Sequence, residues 1–129
     1  MAVTLTKFTP RYKGPFNMRS EGWLNNVSGE IVYGNYQFGT LDKDQNFVPK
    51  YVGRSDSGLR KEINQQKRLK ESEGKRYTHF RYKEAFSKKQ AYENECKDFH
   101  NNGEKDGLDN EYHPDKPDGT DYKCPICGQ

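Results

Sequence analysis

The chain is poor in the residues that usually build a core. Of its 129 residues, six are Leu, three Ile, five Val and seven Phe, about 16% together. That is below the rough 20% under which a highly charged chain reads as disordered. No apolar run approaches the roughly 18 residues of a membrane-crossing helix, so no membrane partner is expected. The N-terminus also lacks the apolar stretch of a secretory leader. The three cysteines are an odd number and cannot complete a set of disulfides. Reduced thiols and a cytoplasmic location are expected instead. A strong charge of one sign is missing too, with 22 basic and 19 acidic residues leaving a net +3. A near-neutral chain with nine Tyr, seven Phe and one Trp is not a disordered one. The expectation is a folded domain with a thin aromatic core and something extra to hold it together.

The small net charge conceals a partition. Residues 1–49 sum to +1, residues 50–89 to +8 and residues 90–129 to −6. A basic block interleaved with Tyr and Phe suits a nucleic-acid backbone. It equally suits a solvated helix face.

Pattern along the chain predicts an α+β fold: a small antiparallel three-stranded sheet flanked by helices. Residues 1–29, with Phe8, Tyr12, Phe16 and Trp23 among Pro, Gly, Ser and Asn, read as an irregular arm packed on the domain. Residues 30–39 are aromatic and β-branched and predict a strand. Asp42 to Asn46 is a turn, and Phe47 to Gly53 a second strand whose Pro49 favours an edge or a bulge. Ser55 or Asp56 is the expected cap of a helix running to about Glu73 and ended by Gly74. Tyr77 to Lys83 reads as a third strand. Ser87 and Gln90 form a capping box for a second helix that ends at Gly103. Gly, Asp and Pro dominate from 104 onward, predicting loop. The central domain is taken as 30–110, with 111–129 a tail belonging to the same globule.

Several chemical groups fall at telling positions. Tyr36 and Tyr51 lie on paired strands, either as aromatic core or as neighbours in a site. Arg54 and Arg60 flank the start of the first helix, and Glu95 lies on the second. In order and spacing, Gly34-Asn35-Tyr36, Tyr51-Val52-Gly53-Arg54-Ser55, Arg60, the run Ala91 to Glu95 and Leu108-Asp109-Asn110 resemble the GIY-YIG nuclease family over residues 34 to about 110. Asn35 stands where Ile is usual. Asn64 stands where many members carry His or Tyr, and His79 is the substitute base.

The resemblance implies a metal-dependent endonuclease acting on DNA. Tyr36 would be the general base, its phenol acidified by Arg54 or Arg60. Arg60 would grip the scissile phosphate in bidentate fashion, Tyr51 would bind phosphate or water, and Glu95 would hold one Mg2+. Arg54, Arg60, Lys61, Lys67, Arg68 and Asn110 are the expected nucleic-acid contacts. No separate recognition domain is evident, so weakly specific cleavage or a targeting protein partner is expected. The alternative is a nucleic-acid-binding module of the same fold without catalysis.

The cysteines suggest a second, structural metal. Cys124-Pro125-Ile126-Cys127-Gly128 has the spacing of a zinc knuckle. Cys96 and His100, four apart on one helix face, would complete a Cys3His zinc site, with His113 as the alternative ligand. Such a zinc would staple the tail behind the helix of Glu95.

Overall fold

The computed structural model describes residues 11–129; the first ten residues, with Phe8, lie outside the described part. Four strands form one antiparallel sheet: β1 (Lys13–Asn17), β2 (Gly34–Leu41), β3 (Phe47–Ser55) and β4 (His79–Glu84), in the order β1-β4-β2-β3. A 3-10 turn spans Trp23–Asn26. Helix α1 (Leu59–Ser72) joins β3 to β4; α2 (Lys88–Asn101) and the short α3 (Glu104–Gly107) follow. Among the described residues no helix is long and apolar enough to cross a membrane.

The fold class is α+β as expected, but among the described residues the sheet has four strands rather than three. The extra strand, β1, comes from the arm expected to be irregular. Its Gly14-Pro15 pair has the composition of a turn. At a sheet edge, however, proline's missing N–H costs no ladder hydrogen bond, and the register with β4 shifts between Lys13 and Phe16. Pro49 obeys both parts of its expectation: β3 is the other edge, and its pairing with β2 is offset between Tyr51 and Pro49. The start of α1 differs. Gly58 occupies the cap position without a side-chain bond, while Ser55 Oγ accepts from the Ser57 and Gly58 amides, tying the turn before the helix. Gly74, at φ 84°, follows the end of α1 in the left-handed region that glycine adopts without strain. At α2, Ser87 Oγ accepts from Gln90 N, and Gln90 Oε1 accepts from Phe86 N, so the box closes one residue early.

Alternation along β2 sends its residues to two different faces. Tyr36 and Phe38 meet Leu59 and Ile63 of α1, with Phe80, Tyr82, Tyr77, Met18 and Val27 completing that core. Phe16, Trp23 and Tyr51 pack against it. This is the aromatic core that the composition implied. The other face is covered by α2, where Val52 packs with Phe99 and Leu108. That layer is unusually polar. Asn35, fully buried, donates to Ala91 O at 2.8 Å and accepts from Asn94 Nδ2 at 3.0 Å. Gln37, also buried, accepts from Arg81 Nε at 2.7 Å. Tyr12 donates to Asp98, fastening the start of the described chain to α2.

The Asn35–Asn94 pair sets the register of α2 on the sheet, because sliding the helix would strand buried polar groups. Asn35→Ile should therefore destabilise the fold by about 1–3 kcal/mol, a cost typical of orphaned buried partners. The double variant Asn35→Ile/Asn94→Leu should recover part of the loss. Urea unfolding of the three variants measures both effects.

Candidate functional site

Where β2, β3 and the two long helices come together, a cleft of about 350 Å³ opens, lined by Tyr36, Tyr51, Gly53, Arg54, Asp56, Ser57, Glu62 and Glu95. Gly53 pairs with Tyr36 across the β2–β3 ladder, and a Cβ at Gly53 would overlap the Tyr36 ring and hydroxyl. Glycine at that position lets the phenol reach the cleft. The Tyr36 and Tyr51 rings lie 6.3 Å apart. Tyr36 donates to Glu62 Oε2 at 2.9 Å, and Tyr51 lies 3.4 Å from Gln66 Oε1. Lys70 Nζ sits 4.3 Å from the Tyr51 ring centroid.

Arg54 is the cation of the cleft. Its Nη1 bonds Glu95 Oε1 at 2.7 Å, and its Nε bonds Asp56 Oδ1 at 3.1 Å. The guanidinium also stands over the Tyr92 ring, 5.3 Å from its centroid. Burial pushes the Glu95 carboxyl up to about 7, although Arg54 pulls the other way. Burial likewise raises Glu62, against the hydrogen bond from Tyr36. Both phenols are raised as well. For Tyr36 the causes are burial, then Tyr51 and Glu62; for Tyr51 they are burial, then Glu95 and Glu62. The expectation of an arginine acidifying Tyr36 therefore fails. The nearest charged partner of its hydroxyl is a carboxylate, which makes the phenol harder to ionise.

Arg60 does not line the cleft. Its Nη2 bonds Asn25 Oδ1 at 3.0 Å, its Nε is buried without a partner among the described residues, and its side chain passes Gly29. Helix geometry gives the reason. Leu59 and Ile63 are buried against the sheet and set the inward direction of α1. At about 100° per residue, Arg60 and Glu62 then fall on opposite flanks of that direction. The flank facing the cleft carries Glu62 and Gln66.

Other expected residues also lie elsewhere. His79 pairs with Gly39, at the opposite end of the sheet from Gly34 and Ser55, and bonds Thr78 Oγ1. Lys61 and Arg68 are exposed on α1; Lys67 pairs with Glu71 and stands over the Trp23 ring. Asn110 uses both ends of its amide on the backbone of Val52, accepting at 3.0 Å and donating at 2.8 Å. It thereby seals the free edge of β3. A second cleft of about 360 Å³ shares Tyr51 and Glu95 with the first and includes Lys70, Lys75 and Asp109.

A separate cluster sits at the far end of α2. One ligand atom each from His100, His113, Cys124 and Cys127 lies within 4.8 Å of the others, a group that could hold a metal ion. His100 Nδ1 is 2.6 Å from Glu104 Oε2, while its Nε2 is buried with no hydrogen-bond partner among the described residues. His113 Nδ1 bonds Pro114 O at 2.8 Å and its Nε2 lies 3.4 Å from Cys127 Sγ. Each ring is therefore anchored through Nδ1 with Nε2 turned into the cluster, the arrangement of metal-ligating histidines held by a second partner. The expected Cys3His set is corrected to His2Cys2. Cys96 is outside the group, buried with Tyr92 and Cys124. It lies one helical turn before His100, where it becomes a core thiol; burial pushes it up to about 12. His113 arrives instead, packed on Phe99 and 5.1 Å from the His100 ring.

Compared with known proteins, the chain matches no family model, no curated protein and no solved structure.

The buried carboxyl has a consequence for stability. Because Glu95 binds its proton more tightly folded than unfolded, its own contribution to stability is fully present below about pH 4.5 and is lost as pH rises through about 7. Without divalent cations, Glu95→Gln should gain on the order of 1–3 kcal/mol at pH 8 and nothing at pH 4. Urea midpoints at the two pH values check the sign.

Proposed function

We propose that the protein is a metal-dependent nuclease that hydrolyses phosphodiester bonds in DNA, in the manner of the GIY-YIG enzymes its motifs resemble. One observation carries the reading: Tyr36 of β2, Tyr51 and Arg54 of β3 and Glu95 of α2 meet in a single cleft. Hydrolysis of a phosphodiester needs an activated water, a cation at the phosphate and stabilisation of a dianionic transition state. In this reading Arg54, a planar donor, takes the phosphate oxygens, and Tyr51 donates a hydrogen bond to the same group. Glu95 is the carboxylate for Mg2+, which would polarise the phosphate and favour hydroxide over water. Arg54 is already shared with Asp56, so a cation at Glu95 would not leave the guanidinium alone.

The exposed basic face of α1, with Lys61 and Arg68, is the proposed backbone contact, and a targeting protein partner remains part of the reading. Arg60 and Lys67 are already engaged with Asn25 and Glu71. All three thiols are free, which suits a reducing compartment such as the cytosol.

The His2Cys2 group is, in the same reading, a structural zinc site, since four protein ligands leave no position open for substrate. Its support is the buried, unpartnered Nε2 of His100 and the Glu104 carboxylate behind that ring. It would fix the tail to the helix that carries Glu95.

A second reading, a nucleic-acid-binding module without catalysis, is favoured by one observation. The flank of α1 facing the cleft presents Glu62 where the spacing of the motifs led to an arginine.

Incubation with duplex, branched and single-stranded DNA and Mg2+ separates the two. Cleavage is expected, and Glu95→Ala and Arg54→Ala should each lower it by about 10²-fold or more. Binding that weakens with salt, without cleavage, would favour the module. Metal analysis should return one zinc per chain. Chelation should lower the melting temperature by on the order of 10 °C or more. His113→Ala should lose the metal and Cys96→Ala keep it, the reverse of what a Cys3His site requires.

A further inference from the structure

We infer that Glu62 is the proton acceptor standing behind Tyr36, so that the attacking water is deprotonated through a two-link relay rather than by a phenolate. The inference rests on the hydrolase reading above and supplies its missing base. A phenolate base needs a cation beside the oxygen. The Tyr36 oxygen instead has Glu62 Oε2 at 2.9 Å, and burial and neighbouring carboxylates hold its proton on. A neutral phenol cannot take a proton and also keep its own. It can take one while giving its own away, if an acceptor is already bonded to its hydrogen. Glu62 is that acceptor.

Placement supports the role. Glu62 lies in the first turn of α1, one residue before the fully buried Ile63 and three after the fully buried Leu59, so its helix is rigidly seated. It lines the same cleft as Tyr51, Arg54 and Glu95. The other candidates fail on position or chemistry: His79 sits at the far end of the sheet, and an amide such as Asn64 accepts no proton at neutral pH. The groups acting on Glu62 are Tyr36 from β2 and Arg54 and Asp56 from the end of β3 and the turn after it.

The step balances. The water proton passes to the Tyr36 oxygen as the Tyr36 proton passes to Glu62. The freed electron pair of the water oxygen forms the new P–O bond. The bond from phosphorus to the leaving sugar oxygen breaks with its pair on that oxygen, which takes a proton from solvent. Glu62 later releases its proton to solvent through the open cleft.

The test uses the full chain with Mg2+ on a panel of duplex, branched and single-stranded DNA. Relative to wild type, Glu62→Gln should lower kcat by about 10²-fold or more, the usual worth of a general base. KM should stay within about threefold. The rise of kcat with pH that reports Glu62 ionising should vanish, and Glu62→Asp, which keeps the charge, should restore that rise and part of kcat. The double variant Tyr36→Phe/Glu62→Gln should be no slower than the slower single variant, because the two act as one unit. Wild-type kcat in Glu62→Gln, or additive losses in the double variant, would overturn the relay while leaving the nuclease reading intact. Should Glu62→Gln fail to fold, Tyr36→Phe decides: full kcat overturns the relay. A wild type that cleaves no member of the panel overturns the nuclease reading and the relay with it.

Discussion

The ion pair between Arg54 and Glu95, 2.7 Å long and with both side chains close to nine-tenths buried, is the contact on which the rest of the structure converges. It joins the edge strand β3 to helix α2 across the mouth of the cleft. A buried pair of this kind is a weak source of stability, because desolvating two charges costs several kcal/mol per ion. The fold supports it from three sides. Asn35 and Asn94 hold the register of α2, Asn110 seals the open edge of β3, and Asp56 gives Arg54 a second carboxylate. Charges kept in a cleft at such expense are what the proposed function builds on.

The same pair joins two segments of opposite net charge. The segment of residues 50–89, at +8, supplies Arg54, and residues 90–129, at −6, supply Glu95. The two blocks touch at this pair and at Lys75–Asp109, while Lys61 and Arg68 stay exposed on α1. The shortage of aliphatic residues is answered in a similar way. One side of the sheet is filled by Tyr36, Phe38, Phe80, Tyr82 and Tyr77 around only a few aliphatic side chains, and the other by Val52, Phe99 and Leu108 with the buried amides of Asn35, Asn94 and Gln37, which bond each other, Ala91 O and Arg81. Tyr36 belongs both to that core and to the cleft, so aromatic residues do two jobs here.

Much of this was legible in the sequence wherever the signal was local. The β2–β3 hairpin, the bulge at Pro49, the stop at Gly74 and the cap at Ser87 each follow from a residue acting on its own neighbours. What was hidden depends on partners far along the chain. Strand β1 exists because β4 offers it an edge, which Gly14-Pro15 does not announce. Asn35 looked like a degraded motif position until Asn94, 59 residues away, proved to be its partner. Counting residues from Tyr51 pointed to Arg60, whereas the buried Leu59 and Ile63 set the helix face and turn Glu62 to the cleft. Those two positions were readable, and phasing the helix from them rather than from motif spacing would have found Glu62. The fourth position of the His2Cys2 group had a signal in His113, but nothing local ranked it above Cys96.

The proposed function makes the Arg54–Glu95 cleft a divalent-cation site serving phosphodiester chemistry. Paramagnetic broadening by Mn2+ in NMR spectra of the zinc-loaded protein tests it most directly. Saturable broadening centred on Gly53, Arg54 and Glu95 and their neighbours is expected, abolished in Glu95→Gln. Broadening spread over the acidic tail, or unchanged in that variant, would contradict it.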